Sequence, residues 1–299
     1  MSKRIFYLRY SLIIKRLQKT PATFTEISEF LSREAELQDF SIEITKRTFQ
    51  RDLDEIRSLF NVDIEYDFSR KVYAISEESQ NATNHRMLEA FDMFNALNIT
   101  DDLSNYVYFE NRKPKGTENF YGLLHAAKNH LTIRYFYLKY EDDQITQRIA
   151  EPYGLKEFKG RWYLIAKDQK DDAIKTFGLD RIQNLEITRK RFDAPKNFNA
   201  NTLFKNCFGI INPTDGKVEN IILSFDSFQG KYIKSFPIHG TQQVLIDNEK
   251  EVRIGLALNV THDLVMELLS YGETLVVMKP AGLRNTIREV AKKILASHR

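Results

Sequence analysis

The first 76 residues carry apolar side chains at helical spacing in three successive segments. The third segment has the clearest pattern, because its apolar residues recur every three or four positions and therefore lie on one face of a helix. That stripe consists of Phe49, Leu53, Ile56 and Phe60. We expect Thr25 to cap the second helix, since a threonine hydroxyl can accept a hydrogen bond from the first amide groups of a helix, and Thr45 to open the third. Two alternating stretches, 62–66 and 72–75, then predict a β-hairpin.

Three helices followed by a hairpin predict a winged helix-turn-helix domain over residues 1–76. Residues 77–130 again carry apolar residues at helical spacing, which predicts a helical connector. From residue 131 the period changes to two, and five short strands up to residue 205 predict a small β-barrel. Residues 206–299 follow the order strand, helix, strand, strand, helix, strand, with a trailing helix, which predicts a ferredoxin-like domain. The predicted fold class is therefore multidomain α+β.

The side of the third helix that lies opposite the apolar stripe carries side chains suited to DNA. Arg47 and Arg51 can each donate two hydrogen bonds to guanine, and Gln50 can pair with adenine. The segment 45–53 resembles the recognition helix of DeoR-type winged domains, which implies a double-stranded DNA operator as the partner. The predicted DNA-binding residues are Thr45, Lys46, Arg47, Thr48, Gln50 and Arg51, with Arg70 and Lys71 at the tip of the hairpin. The alternative is an ordinary solvated helix face.

The charge balance of this first domain is nearly even. Residues 1–76 contain 13 Lys and Arg against 12 Asp and Glu, so DNA affinity requires the cations to be gathered on one face. Asp52 and Asp54 are poor neighbours for a phosphate, and we expect them to orient the arginines or to pair within the domain. The even balance also favours two domains that bind together, as a homodimer on an inverted repeat.

The single tryptophan of the chain lies in a short strand pattern that is one of three ordered motifs. Its segment consists of Gly160, Arg161, Trp162, Tyr163, Leu164, Ile165 and Ala166. Residues 151–155, Glu-Pro-Tyr-Gly-Leu, precede it, and residues 176–182, Thr-Phe-Gly-Leu-Asp-Arg-Ile, follow it. This ordered set resembles the WYL domain, which is named for the Trp-Tyr-Leu run.

The resemblance implies an Sm-like (SH3-type) β-barrel over residues 131–205 and a characteristic C-terminal extension over residues 206–299. In bacteria such a domain is usually joined to a DNA-binding domain, which agrees with the independent prediction for residues 1–76. The resemblance further implies a dimeric, effector-responsive transcription regulator, and we expect a repressor. The effector is often proposed to be single-stranded nucleic acid or a nucleotide.

Basic side chains interleaved with tyrosines on the predicted barrel could form a groove for stacked bases and phosphates. The candidate effector-binding residues are Tyr135, Tyr137, Arg148, Arg161, Tyr163, Lys175 and Arg181. The alternative is that the charges form an ordinary rim and the tyrosines cover the barrel. Strand alternation places Trp162 and Leu164 on the core side, opposite Tyr163.

The chain departs from the WYL pattern at two positions where arginine is often found. Lys175 keeps the positive charge but lacks the planar guanidinium group, and Gly178 has neither. Arg148 and Arg181 are therefore the stronger candidates for effector binding.

Composition limits the class of protein. The net charge of +3 permits an anionic partner without requiring one. The one cysteine, Cys207, excludes an intramolecular disulfide, and we expect it to be a small buried apolar residue. No apolar run approaches the roughly 18 residues needed to span a membrane. The first residues also lack the pattern of a secretory signal, so the expected location is cytoplasmic.

Motifs for catalysis are missing from the sequence. The six histidines lie far apart, without metal-ligand spacing, and neither a phosphate-binding loop nor a nucleophile elbow is present. We therefore expect no catalytic residues, no metal and no cofactor. Two alternatives stay open: a nucleic-acid-processing enzyme in which the first domain serves only for recruitment, and an accessory nucleic-acid-binding protein without a regulatory role.

Overall fold

The computed structural model describes six stretches of the chain. These are residues 3–36, 43–60, 62–76, 115–195, 198–213 and 216–298. They fall into two compact units, Met1–Glu110 and Asn111–Arg299. Most of the predicted connector, including its apolar positions at 87–97, lies outside the described residues. None of the described helices is long and apolar enough to cross a membrane.

The first unit contains three helices and a hairpin, in the order that the sequence predicts. The elements are α1 (Lys3–Lys19), α2 (Phe24–Glu36), α3 (Lys46–Phe60), β1 (Ile64–Asp67) and β2 (Val72–Ile75). The strands pair in antiparallel register, with Tyr66 opposite Tyr73. All four residues of the predicted stripe in α3 are buried in one core with side chains of α1 and α2. Burial of such a side chain contributes roughly 1.5–3 kcal/mol, so this stripe fixes the inward face of α3.

The helix caps confirm one expectation and correct another. The amide of Thr48 donates to the hydroxyl of Thr45 over 3.1 Å, so Thr45 is the cap of α3 and stands at the start of that helix, as predicted. The prediction that Thr25 caps α2 is wrong. Thr23 is the cap: its hydroxyl accepts from the amide of Glu26, and its own amide donates to the Glu26 carboxylate over 2.7 Å. This reciprocal pair is a capping box, which satisfies two amides where Thr25 could satisfy one.

A buried ion pair joins α1 to α3. Nε of Arg9 lies 2.5 Å and Nη2 lies 2.7 Å from the two carboxylate oxygens of Asp52, and both side chains are fully buried. Asp52 therefore pairs within the domain, which is one of the two roles that the sequence left open.

The second unit begins with a helix and a five-stranded antiparallel sheet. The elements are α4 (Phe120–Lys128), β3 (Leu131–Leu138), β4 (Ile145–Phe158), β5 (Arg161–Asp168), β6 (Ile174–Gly178) and β7 (Ile182–Arg191). The strand order is β6-β5-β4-β3-β7. The prediction of a closed barrel is wrong for the strands that the structure describes, because β6 and β7 form the two edges and do not pair. A 3-10 turn, Leu179–Arg181, carries the chain away from β6, and β7 pairs with β3 instead.

The two faces of this sheet pack differently. Leu164 is fully buried on one face with Leu123 and Ala126 of α4, and Trp162 packs edge-on against Phe120 at a ring distance of 4.7 Å. The predicted core role of Trp162 and Leu164 thus agrees with the structure. On the other face Ile165 is buried, in a cluster that includes the equally buried Cys207. Helix α4 lies within the predicted connector, residues 77–130, yet it packs as part of the core of this sheet.

A second, four-stranded sheet completes the unit. After the short helix α5 (Ala200–Leu203), the elements are β8 (Val218–Asp226), α6 (Ser227–Ser235), β9 (Gln243–Asp247), β10 (Glu251–Asn259), α7 (His262–Leu269), β11 (Leu275–Lys279) and α8 (Ala281–Ser297). The strand order is β11-β8-β10-β9, all antiparallel. The order of elements is the one that the sequence predicts for residues 206–299.

The two sheets of the second unit are joined by polar contacts. The Thr176 hydroxyl of β6 donates to the carbonyl of Ile210 over 3.2 Å. The carboxylate of Asp263 in α7 accepts from the amides of Ile210 and Ile211 over 2.9 Å and 3.2 Å. At the tip of the β4–β5 hairpin, Lys159 pairs with Glu267 of α7 at 2.6 Å.

Candidate functional site

Helix α3 presents its predicted DNA-contacting side chains to solvent. Lys46, Arg47, Gln50 and Arg51 are all exposed, on the side opposite the buried stripe. Among the described residues, neither Arg47 nor Arg51 takes part in an ion pair, although the Arg51 guanidinium lies 5.9 Å from the centre of the Phe6 ring. Both arginines can therefore reach an external partner without first breaking an ion pair.

The hydroxyl groups of the two threonines at the start of α3, Thr45 and Thr48, take part in hydrogen bonds within the first turn of the helix. The hydroxyl of Thr45 accepts the Thr48 amide, and the two hydroxyls lie 3.1 Å apart within hydrogen-bonding distance. A DNA contact by either hydroxyl, as the sequence predicts, therefore competes with the helix cap. The positive end of the helix dipole still lies at this point, which favours an anion there.

The tip of the hairpin, which carries Arg70 and Lys71, is a turn stabilised by side-chain hydrogen bonds. The Asp67 carboxylate accepts hydrogen bonds from the Ser69 hydroxyl and from the amides of Ser69 and Arg70, and these bonds lower the pKa of Asp67. Lys71 adopts a φ of 56°, and both Arg70 and Lys71 are exposed. Phe68, which the sequence reasoning missed, is 85% exposed at the same tip.

The predicted effector residues divide into two clusters. The inner cluster is centred on Asp168, which is fully buried at the end of β5. Arg148 lies 2.6 Å from its carboxylate and Lys175 lies 3.0 Å from it, and Lys175 also pairs with Asp171. Tyr135 lies directly opposite Arg148 in the sheet register.

The outer cluster is centred on Asp180, in the 3-10 turn that follows β6. Arg161 lies 3.4 Å and Arg181 lies 3.9 Å from its carboxylate oxygens. The Tyr140 hydroxyl also donates to this carboxylate over 3.3 Å. The Arg181 guanidinium lies 5.0 Å from the centre of the Tyr137 ring and 5.1 Å from that of Tyr140, so the two rings flank it.

The tyrosines of β3 do not line an exposed groove, which corrects that part of the prediction. Tyr135 is fully buried and Tyr137 is 7% exposed, because both share the core face with Ile133 beneath α4. Burial raises the pKa of each phenol. Tyr163 is half-buried on the opposite face, where burial also raises its pKa. The most exposed of the predicted cations, Arg161 at 62%, lies in the outer cluster.

The cations of the predicted basic groove are all paired with carboxylates of the protein itself. The groove's four cationic side chains are Arg148, Arg161, Lys175 and Arg181. They form ion pairs with three carboxylates, those of Asp168, Asp171 and Asp180. The sequence reasoning named the cations and missed these partners, because only the strand register and the turn at 179–181 bring them together.

Two domain models match the second unit. Residues 118–187 match the model of the WYL domain, which includes both clusters. Residues 217–295 match the model of the WCX domain, which covers the four-stranded sheet and most of its last helix. The suspected WYL module is thus found in the chain, together with a separate domain at the position of its predicted C-terminal extension.

Particular relatives share parts of the chain. A 69-residue stretch is 35% identical to Protein PafB of Mycobacterium tuberculosis, and the same figures hold for Protein PafB of Mycobacterium bovis. The stretch is 23% of this chain and 21% of either protein, so the match spans about a fifth of these curated relatives.

Two solved structures are also similar. One is Proteasome accessory factor B/C (PafBC) of Arthrobacter aurescens, with 21% identity and a TM-score of 0.32; 94% of this chain and 45% of that chain are covered. The other is a CRISPR Cas-related protein, with 9% identity and a TM-score of 0.42; 99% of this chain and 85% of that chain are covered.

Proposed function

We propose that this chain is a DNA-binding transcription regulator that acts as a repressor. The observation that carries the proposal is the exposed face of α3, on which Arg47, Gln50 and Arg51 lie opposite a buried apolar stripe. In a winged helix-turn-helix domain such a helix enters the major groove. Arg70 and Lys71 on the hairpin tip would then contact the backbone of the duplex.

The WYL domain is the proposed sensor. Its outer cluster combines arginines with tyrosine rings, which suits a nucleotide or a short single-stranded nucleic acid. To regulate DNA binding, the effector must bind the DNA-competent and DNA-incompetent states with different affinity. The chain is further proposed to act as a homodimer on an inverted repeat. Two copies of the nearly neutral first domain together would supply the phosphate contacts that one copy lacks.

A gel-shift titration tests the DNA-binding part. Duplexes are first enriched from a random pool with the wild-type full chain, and affinity is then measured for the double variant R47A/R51A. The charge-matched control is K15A/R33A, which removes two exposed cations of α1 and α2. We expect each lost bidentate contact to cost about 1–3 kcal/mol in binding, whereas the control loses only the weaker, salt-dependent attraction.

The outcomes separate the candidate functions. Equal affinity of wild type and R47A/R51A would reject α3 as the recognition helix. Binding of duplexes without any enriched sequence would favour the accessory nucleic-acid-binding protein over the regulator. Loss of binding confined to R47A/R51A, with an unchanged circular dichroism spectrum, supports the proposal.

A further inference from the structure

Three donor groups converge on Asp180 in the way that donors surround a bound anion. Arg161, Arg181 and the Tyr140 hydroxyl all approach its carboxylate, at 3.4, 3.9 and 3.3 Å. The side chain of Asp180 is 16% exposed, whereas that of Arg161 is 62% exposed. The protein's own carboxylate therefore takes the place that the phosphate of an effector would need.

Gly178 leaves the room for this arrangement. A Cβ atom built at residue 178 would lie 2.5 Å from Oδ1 of Asp180 and 3.0 Å from Nε and Nη2 of Arg181. Any larger residue would thus displace the Asp180 carboxylate or the Arg181 guanidinium. The glycine has an extended backbone with a φ of −62°, which any residue can adopt, so the requirement for glycine is one of space.

We propose that Asp180 is an autoinhibitory side chain, which an anionic effector displaces from Arg161 and Arg181 when it binds. The inference rests on the proposed effector function of the WYL domain. Of the effectors that the WYL resemblance implies, a single-stranded oligonucleotide is the one considered, and its phosphodiester would accept from the two arginines. A base of that oligonucleotide can stack on the exposed ring of Tyr140 or on the half-buried ring of Tyr163.

The exchange is assigned to the outer cluster because its ion pairs are the weaker ones. Because the Arg161 side chain is 62% exposed, water screens its pair with Asp180, which contributes less to stability than a buried pair, and a phosphate can replace the carboxylate at small cost. The inner pair of Arg148 with Asp168 is almost wholly buried, and separating it would leave a charge without a partner. The inner cluster therefore serves as a fixed support.

The test measures binding of a fluorescein-labelled oligothymidylate, about ten nucleotides long, by the full chain. All proteins carry R47A/R51A, so that the signal reports on the second unit. D180N removes the charge of the carboxylate and keeps its shape. The control D172N neutralises an exposed aspartate that pairs with Lys167, at a φ of 57° that asparagine also tolerates.

We expect D180N to tighten oligonucleotide binding by about threefold or more and D172N to leave it unchanged. The slope of log affinity against log salt concentration should steepen by about 0.7 in D180N, because an arginine that Asp180 occupies in the wild type can then contact one more phosphate. R161A should weaken binding more in the D180N protein than in the wild type, since Asp180 no longer occupies the arginine. A simple loss of local structure would produce neither of the last two effects.

Three results would overturn the inference. Weaker binding by D180N would make Asp180 a residue that positions the arginines, and equal binding would mean that no competition exists. If no protein in the series binds the oligonucleotide, the effector assignment fails and the inference fails with it. The DNA-binding part of the proposed function is unaffected by any of these results, because the gel-shift titration tests it separately.

Discussion

Arg9 and Asp52 form an ion pair with two hydrogen bonds that is wholly enclosed between α1 and α3. Together with the buried apolar stripe, the pair fixes the rotation of α3 about its own axis. Because Asp52 must point inward to meet Arg9, the adjacent Arg51 is directed outward, as is Arg47 one turn earlier. The orientation of the candidate DNA-binding face is thus set from inside the domain.

Removing one partner of this pair should destabilise the first unit strongly. D52A leaves the Arg9 guanidinium buried without its counter-ion, and we expect a loss of about 3–5 kcal/mol in the free energy of unfolding. Urea denaturation followed by circular dichroism measures it. The control is D54A, an exposed aspartate of the same helix, which should change stability by less than about 0.5 kcal/mol. Similar, small effects of both variants would contradict the buried pairing.

The cap of α2 can be located by a matched pair of threonine variants. T23A removes the hydroxyl that accepts the Glu26 amide, so it should cost about 1 kcal/mol of stability. T25A, two residues further on and exposed, should have little effect. Thermal denaturation compares the two proteins, and a larger loss for T25A would restore the assignment that the sequence alone favours.

The two buried tyrosines of β3 should respond in opposite ways to loss of their hydroxyl groups. Among the described residues, the Tyr135 hydroxyl has no hydrogen-bond partner, whereas that of Tyr137 accepts the Gly178 amide over 3.2 Å. Y135F should therefore be neutral or stabilising, and Y137F should cost about 1 kcal/mol. Chemical denaturation of the full chain measures both. A marked loss for Y135F would show that its hydroxyl has a partner in solution, such as an ordered water.

His239 should make the second unit less stable in mild acid. Burial, and then the nearby Lys156, hold its pKa below the ordinary value of about 6.5. The unfolded chain therefore binds the proton more readily, so the stabilising contribution is present above pH about 6.5 and is lost as the pH falls through the folded pKa. An NMR titration of the ring protons gives the folded pKa directly.

The variant H239N isolates this effect. Its amide oxygen can replace Nδ1 as acceptor of the Thr241 amide, which lies 3.2 Å away, but it does not titrate. The drop in stability between pH about 7 and pH about 5 should become smaller in H239N. The exposed His298 provides the control, because H298N should keep the wild-type pH dependence. An equal drop in H239N and the wild type would refute the assignment.

The spacing of apolar residues was sufficient to predict the helices and the buried face of α3 in the first unit. The stripe of α3 recurs at helical spacing over about three turns, and one face of a helix that is apolar for that length is expected to be buried. The same helical periodicity predicts that Arg47 and Arg51 lie on the outer face, and both are exposed there in the structure. The buried partner of Asp52 could not be found this way, since Arg9 lies 43 residues away in the sequence.

Alternation was less informative for the five-stranded sheet. Tyr135 and Tyr137 alternate with exposed residues and share their parity with Ile133, a signal that they face the core, but their hydroxyl groups suggested a ligand site. The carboxylate at 168 lies outside the quoted motifs, and the one at 180 lies within the segment 176–182, where its sequence position alone does not reveal its partners. Their roles depend on which strand lies beside which, and on the turn after β6, neither of which is encoded in local spacing.

The loop that contains Ile210 and Ile211 is hydrogen-bonded to both the WYL and the WCX domains. Its contact with the WYL domain is the hydrogen bond from the Thr176 hydroxyl to the carbonyl of Ile210. Thr176 follows Lys175 of the inner cluster, and the amides of residues 210 and 211 donate to Asp263 at the start of α7. A shift of β6 toward a bound molecule would pull on the first turn of that helix. Under the proposed sensor function, the WYL domain would act on the WCX domain through the main-chain atoms of residues 210 and 211, and only a proline at these positions would remove an amide donor.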